Sequence, residues 1–211
     1  MTDSPESITL RTLTDADIPA VLVMNNAAVP AVNALALTDL AWFQAEAEAF
    51  VVAVEPQGGI VAFLILLDGP SCPYPSENYR WFVDHHREPF LYVDRIVVGA
   101  SVRGLGTGQL LYRHAIEIGT GRWPALSAEV NLRPRNDASL RFHAAFGFGE
   151  VGQREHTGGG RLAMLSFDLS AGPSSSTPID LPRSGGSRRP HAQPKAWVEP
   201  PGTVRAASPT S

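Results

Sequence analysis

The chain has 211 residues, 44% hydrophobic and 18% charged, with a formal net charge of -4. Such a composition suits a globular protein with one good core, and a sequence pI of about 5.8 argues against nucleic acid as a partner, because duplex binding normally shows as a basic excess. No apolar run approaches the roughly 20 residues that cross a bilayer, and Met1 to Leu10 carries no basic, apolar leader pattern, so no membrane partner and a cytoplasmic location are expected.

Composition also divides the chain. Residues 1–7 form a flexible lead, 8–169 one domain, and 170–211 a Pro/Ser/Gly-rich segment with no apolar period, expected to be disordered. Trp197 is the one residue of this tail that looks wasted on solvent. The single cysteine, Cys72, excludes an internal disulfide, and with no basic partner beside it in the sequence it reads as structural.

In chain order, Ile8 to Leu13 alternates as a strand, and Thr14 or Asp15 caps a helix through Ile18, Val21 and Leu22. A loop around Pro30 leads to a second helix that starts at Thr38 or Asp39. "FVVAVE" and "GIVAFLILLDG" flank "PQGG" and predict a hairpin. Gly69 to Pro89, rich in proline in its first half, reads as a long loop over the surface or a site. "FLYVDRIVVG" is a strand, and "GQLLYRHAIEIG" places Leu110, Leu111, Ala115 and Ile118 at helical spacing. "ALSAEVNL" is a strand, "NDASLRFHAAFG" a helix capped by Asn136 and ended by Gly147, and "RLAMLSFDL" a closing strand. The expected order is β-α-α-β-β-β-α-β-α-β-β, an α/β (α+β mixed sheet) domain.

The junction between strand and helix carries the strongest chemical signal. Gly104, Gly106 and Gly108 stand on alternate positions, where bare backbone N–H groups at a helix start favour a phosphate. The spacing of this turn is G-x-G-x-G followed by Gln109, so it does not fit the dinucleotide fingerprint G-x-G-x-x-G, and no G-x-x-x-x-G-K is present.

"VVGASVRGLGTGQLL" followed by "EVNLRPRNDASLRFHAAFGF" resembles the GNAT superfamily of N-acetyltransferases, with Arg103, Gly106 and Gly108 on its glycine element and Asn136, His143 and Gly147-Phe148 on its last-helix pattern. The resemblance covers nearly all of 8–169. It implies the GNAT acyl-CoA N-acyltransferase fold and acetyl-CoA as cosubstrate, with the backbone of Ile96, Val97 and Val98 along the pantetheine arm. It further places the pyrophosphate on Arg103, Gly104, Leu105, Gly106, Thr107, Gly108 and Gln109, and lets Asn136 bond the arm. Gly99 is expected to help that strand splay from its neighbour.

The implied reaction is attack of a neutral amine on the thioester, which needs a base for the amine proton and an acid for the departing sulfur. Glu129 is the first candidate base, since Ser127, Glu129 and Asn131 share the polar face of their strand; pairing with Arg95 or Arg133 is the competing reading. Asp94 is the second candidate, again with an arginine pair as the simpler explanation. His143 takes the position where many members carry a proton-donating tyrosine, and it either serves as acid, hydrogen-bonds the coenzyme arm or fills helix packing.

Asn25, Asn26, Tyr79 and Trp81 are candidate acceptor contacts, by their position on the first helix and the long loop. His85 and His86 are adjacent and should diverge, so no metal is expected. The acceptor would be a small-molecule or peptide amine, and a homodimer is in keeping with the family. A catalytically silent CoA-binding regulator and a nucleotide-binding module are the alternatives.

Overall fold

The structure, a computed structural model, describes residues 7–156 and 159–170. The tail beyond Ser170, with Trp197, lies outside the described residues. In chain order the elements are β1 (Thr9–Thr12), a 3-10 turn (Asp15–Asp17), α1 (Ile18–Ala27), α2 (Leu37–Glu46), β2 (Ala49–Val54), β3 (Ile60–Gly69) and α3 (Glu77–His85). They continue with β4 (Phe90–Val98), a second 3-10 turn (Ala100–Val102), α4 (Thr107–Gly119), β5 (Ala125–Arg133), α5 (Asp137–Phe146), β6 (Gly149–His156) and β7 (Gly160–Asp168).

One mixed sheet runs in the order β1-β2-β3-β4-β5-β7-β6. Every neighbouring pair is antiparallel except β4 and β5, which are parallel. The helices bury two separate cores against it. Leu111, Tyr112 and Ala115 of α4 pack on Leu64, Leu91 and Leu126 on one face. Val21 of α1, Leu40 and Phe43 of α2, and Tyr79 and Phe82 of α3 pack on Phe63, Tyr92 and Met164 on the other. Strands β2 to β4 are therefore apolar on both sides, as strands covered twice must be.

The prediction of α5 agrees with the structure at both ends. Asn136 Oδ1 accepts from the Ser139 N–H at 3.1 Å, and Gly147 closes the helix at φ +96°. The long-loop reading of Gly69 to Pro89 needs correction, because its second half is α3. The prolines stop at Pro75; Ser76 then caps the helix, and Tyr79 and Phe82, three apart, supply its buried face. Proline content averaged over the whole segment hid a short amphipathic helix.

Strand β4 carries a bulge at Asp94. Ile65 pairs with Arg95 and Leu66 with Val93, so Asp94 has no partner on β3 and side-chain alternation shifts by one. Val93 and Ile96 consequently contact the α4 core, whereas Val97 joins the α1–α3 core.

Gly99 acts differently from the expectation that it loosens the strand end. Its N–H donates to Val61 O at 2.8 Å, and a Cβ there would stand 2.8 Å from that same oxygen. Gly99 thus holds the end of β4 against β3. Its φ of -58° suits any residue, so a Gly99→Ala change acts through crowding alone. It is expected to lower stability by about 1–3 kcal/mol, measured by urea titration.

Candidate active site

Strands β4 and β5 pair only at Phe90–Ala125, Leu91–Leu126 and Tyr92–Ser127. Beyond Tyr92, β4 stays paired with β3 as far as Val98, while β5 stays with β7 as far as Arg133. The two middle strands therefore diverge, and their facing edges, including Ile96, Val97 and Val98, keep backbone donors and acceptors that no strand uses. A linear ligand bearing amides can complete such an edge as an added strand does.

The glycine turn lies where β4 ends. Gly104 and Gly106 take φ of +77° and +88°, and a Cβ at either would meet nothing within 4 Å. Gly106 caps α4, whose first internal bond runs from the Leu110 N–H to Gly106 O at 2.9 Å. The N–H groups of Gly106, Thr107, Gly108 and Gln109 precede that bond and donate to no acceptor among the described residues, which is the arrangement that receives an anion. Arg103 Nε donates to Val98 O at 3.0 Å and ties the turn back to β4. Gly108 lies 3.5 Å, as measured from a Cβ built on it, from Phe142 of α5, so the turn sits between strand and helix. Unused strand edges and a bare N–H cradle both fit the arm and pyrophosphate of coenzyme A.

Glu129 lies on β5 just past the last β4–β5 pair and is half-buried. Its Oε2 and Oε1 accept from the Tyr92 hydroxyl at 2.8 and 3.0 Å, and Oε1 also accepts from Asn78 Nδ2 at 2.9 Å. It pairs with neither Arg95 nor Arg133. Burial pushes its carboxyl up to about 7, opposed by the bonds from Tyr92 and Asn78 and reinforced by the nearby charge of Asp94. A carboxylate so tuned can take a proton near neutrality.

Asp94 and Arg95 form a buried pair, Arg95 Nε to Asp94 Oδ2 at 2.7 Å. Arg95 also donates to Asn25 Oδ1 at 3.0 Å and Asn33 O at 3.2 Å, and its guanidinium stacks over Phe43. Asp94 is thus engaged in an ion pair. Asn25 is fully buried within the same network, its Nδ2 donating to Asn33 O and Asn26 Oδ1. Asn26 is exposed but clasps both backbone groups of Leu35, so the two asparagines brace the α1–α2 loop.

Tyr79 is buried and donates to Asp68 O at 2.9 Å, an anchor for α3. Trp81 stacks on His85 and lies against Gly152 of β6, where a Cβ would meet its ring at 2.6 Å. Asn25 and Tyr79 thereby belong to the packing, not to an open cleft.

His143 is buried, with Nδ1 2.8 Å from Ser139 O and Nε2 2.6 Å from the Tyr112 hydroxyl. A carbonyl only accepts, so Nδ1 carries the proton and Nε2 accepts from Tyr112. Burial lowers the pKa of the ring, which favours this neutral form. Service as an acid would require the pair to open. Asn136 spends its Oδ1 on the α5 cap, and its own N–H donates to Asn131 O at 2.9 Å, which closes the turn between β5 and α5.

His85 and His86 diverge as expected, one stacked on Trp81 and the other bonded to Ser127 Oγ at 3.0 Å. Among the described residues no group of three or more His, Cys, Asp or Glu side chains could hold a metal. No helix among them is long and apolar enough to cross a membrane. Sequence reasoning missed Tyr92, Asn78, Tyr112 and Arg154. Tyr92 alone had a local signal, a polar tip on a strand bound for a central position.

The chain is an acetyltransferase by family, on a fold whose divergent strands and N–H cradle suit an extended anionic ligand. The acetyltransferase (GNAT) family matches residues 24–148, and the chain belongs to it. Its fold is similar to that of the ribosomal-protein-S18-alanine N-acetyltransferase from Escherichia coli, at 19% identity and TM-score 0.59 over 81% of this chain and 99% of that one. It is also similar to an N-acetyltransferase from Staphylococcus aureus Mu50, at 24% identity and TM-score 0.56 over 78% and 99% of the two chains. A third similar structure, yncA from Salmonella typhimurium with its cofactor acetyl-CoA, gives 20% identity and TM-score 0.57 over 82% and 98%. No curated protein matches the chain.

Replacing Arg95 by Met would leave Asp94 buried without its partner. Guanidinium denaturation of R95M is expected to show a loss of about 3–5 kcal/mol, whereas a contribution below 1 kcal/mol would mean that Asp94 is solvated in its place.

Proposed function

We propose that the protein transfers the acetyl group of acetyl-CoA to a primary amine of a small molecule or peptide by direct attack on the thioester, with Glu129 as general base. The observation that carries this reading is the position of Glu129. It is the half-buried carboxylate on the unpaired part of β5, held by Tyr92 and Asn78 where β4 and β5 part. Similarity to proteins titled N-acetyltransferases supports nitrogen as the acceptor atom.

Bound acetyl-CoA supplies the activated acyl group. The chain supplies the rest. Backbone groups of Ile96, Val97 and Val98 hold the arm, and the N–H groups from Gly104 to Gln109, together with Arg103, hold the pyrophosphate. The amine nitrogen bonds the acetyl carbon, Glu129 accepts the proton that the nitrogen sheds, directly or through one water, and the C–S bond breaks with its electron pair leaving on sulfur as CoA thiolate.

The test is release of CoA thiol across a panel of amines, run alongside calorimetry with acetyl-CoA. Binding without release from any amine would leave a CoA-binding regulator; preference for a nucleotide that lacks the pantetheine arm would leave a nucleotide-binding module. Gly106→Glu is expected to weaken acetyl-CoA binding by crowding and charge. Glu129→Gln is expected to keep that binding and lower kcat by about 10²–10⁴-fold; equal loss of binding in both variants would reject the division of roles.

The base must be ionised to act, so the wild-type rate should rise with pH through about 7. A second readout is independent of turnover. Because the folded carboxyl titrates at about 7 and the unfolded one near 4.5, the native state holds this proton more tightly, and the stability it contributes is lost as pH rises through that window. Glu129→Gln lacks this dependence, so its stability should gain on wild type between those pH values. Parallel stability profiles would show that Glu129 titrates normally.

A further inference from the structure

Arg154 stands on the edge strand β6, and its guanidinium forks onto the first turn of α3. One nitrogen donates to Asn78 Oδ1 at 2.7 Å, and the other pairs with Glu77. Asn78 in turn donates from Nδ2 to Glu129 at 2.9 Å. We infer that Arg154 and Asn78 are positioning residues: the arginine fixes which way the Asn78 amide faces, and the amide thereby fixes the carboxylate of Glu129 for the reaction. This inference rests on Glu129 being the base.

The chemistry of the groups sets the direction of the relay. Guanidinium has donors and no acceptor, so the atom of Asn78 that meets Arg154 is its oxygen. The amide nitrogen is then turned toward Glu129. Without Arg154 the amide is free to rotate and present oxygen to a carboxylate, which repels it. The geometry of α3 supports the arrangement independently, since Gly152 of β6 admits the Trp81 ring where a Cβ would stand 2.6 Å away. Helix and edge strand are therefore docked at two places, the ring and the fork. Arg154 keeps only 16% of its side chain exposed, so its bond to Asn78 is shielded, while the arm that reaches Glu77, itself 64% exposed, lies at the surface.

The groups that face Glu129 from the elements around it are Tyr92 and Asp94 of β4, Asn78 of α3, Tyr74 ahead of α3, and Tyr112 of α4. Of these, Asn78 is held by a cation of the edge strand, Arg154 of β6.

The experiment is the pH–rate profile of kcat for wild type, N78D, R154M, R154K and E129Q, with an accepted amine and saturating acetyl-CoA. N78D keeps an acceptor for Arg154 but sets a second carboxylate against Glu129; its acidic limb should move up by about one pH unit. R154M should lower kcat about fivefold, the effect of losing one oriented hydrogen bond, with KM for acetyl-CoA unchanged. R154K, which retains a donor for Asn78, should recover part of that loss and also covers the case in which R154M fails to fold. If E129Q is inactive while N78D and the arginine variants keep the wild-type limb and kcat, the relay is overturned and the base stands. If E129Q turns over like wild type, Glu129 is not the base and the relay is overturned with it.

Discussion

The divergence of β4 from β5 is the constraint on which the rest of the molecule depends. A parallel pair that stopped nowhere would satisfy its own backbone and leave no room for an extended ligand. Here pairing ends after Tyr92 and Ser127 because each strand is held more firmly on its outer side. β4 follows β3 to its last residue, and the Gly99 N–H extends that attachment to Val61 O. β5 follows β7 to Arg133. The bulge at Asp94 adds local twist to β4 at the point where the strands begin to part. Unpaired backbone in a covered sheet is costly, so the opening is maintained by the two flanking ladders and is of use only when something fills it.

Charge placement follows from the same opening. Asp94 and Arg95 lie on the bulge, and the shift in alternation turns Arg95 toward α1 and α2, where Asn25, Asn33 O and Phe43 receive it. A pair this deep adds little net stability, since desolvation offsets much of its attraction, but it ties the α1–α2 loop to the strand beside the opening. Glu129 is treated differently. It receives neutral donors only, from Tyr92 and Asn78, and no cation contacts it directly. Hydrogen bonds orient it while burial keeps its proton affinity high, which is the combination the proposed role as base requires.

The features legible in the sequence are those whose causes are local. The glycine turn could be read because access to positive φ is a property of glycine itself, and α5 because its cap and its terminating glycine directly flank the helix. Glu129 could be named from strand alternation, but its partners could not, since Asn78 is 51 residues away and Tyr92 is 37. The orientation of Arg95 was hidden by the bulge, because strict alternation puts it on the same face as Val93. Helix α3 was hidden by the prolines before it. His143 was legible as a motif position, but not as the acceptor of a bond from Tyr112, which depends on how α4 and α5 meet.

Tyr92 links the opening to the chemistry. Its backbone makes the last pairing with β5, so it marks where the strands part, and its hydroxyl bridges both oxygens of Glu129 just beyond that point. The ring is fully buried among Tyr79, Phe82 and the rest of the α1–α3 core, which leaves the hydroxyl little freedom to swing. Register therefore sets the position of the carboxylate: a slip of β5 by one residue would close the opening at a different place and turn Glu129 to the α4 face. Binding groove and acid are fixed by one strand pairing, so neither can be displaced without the other.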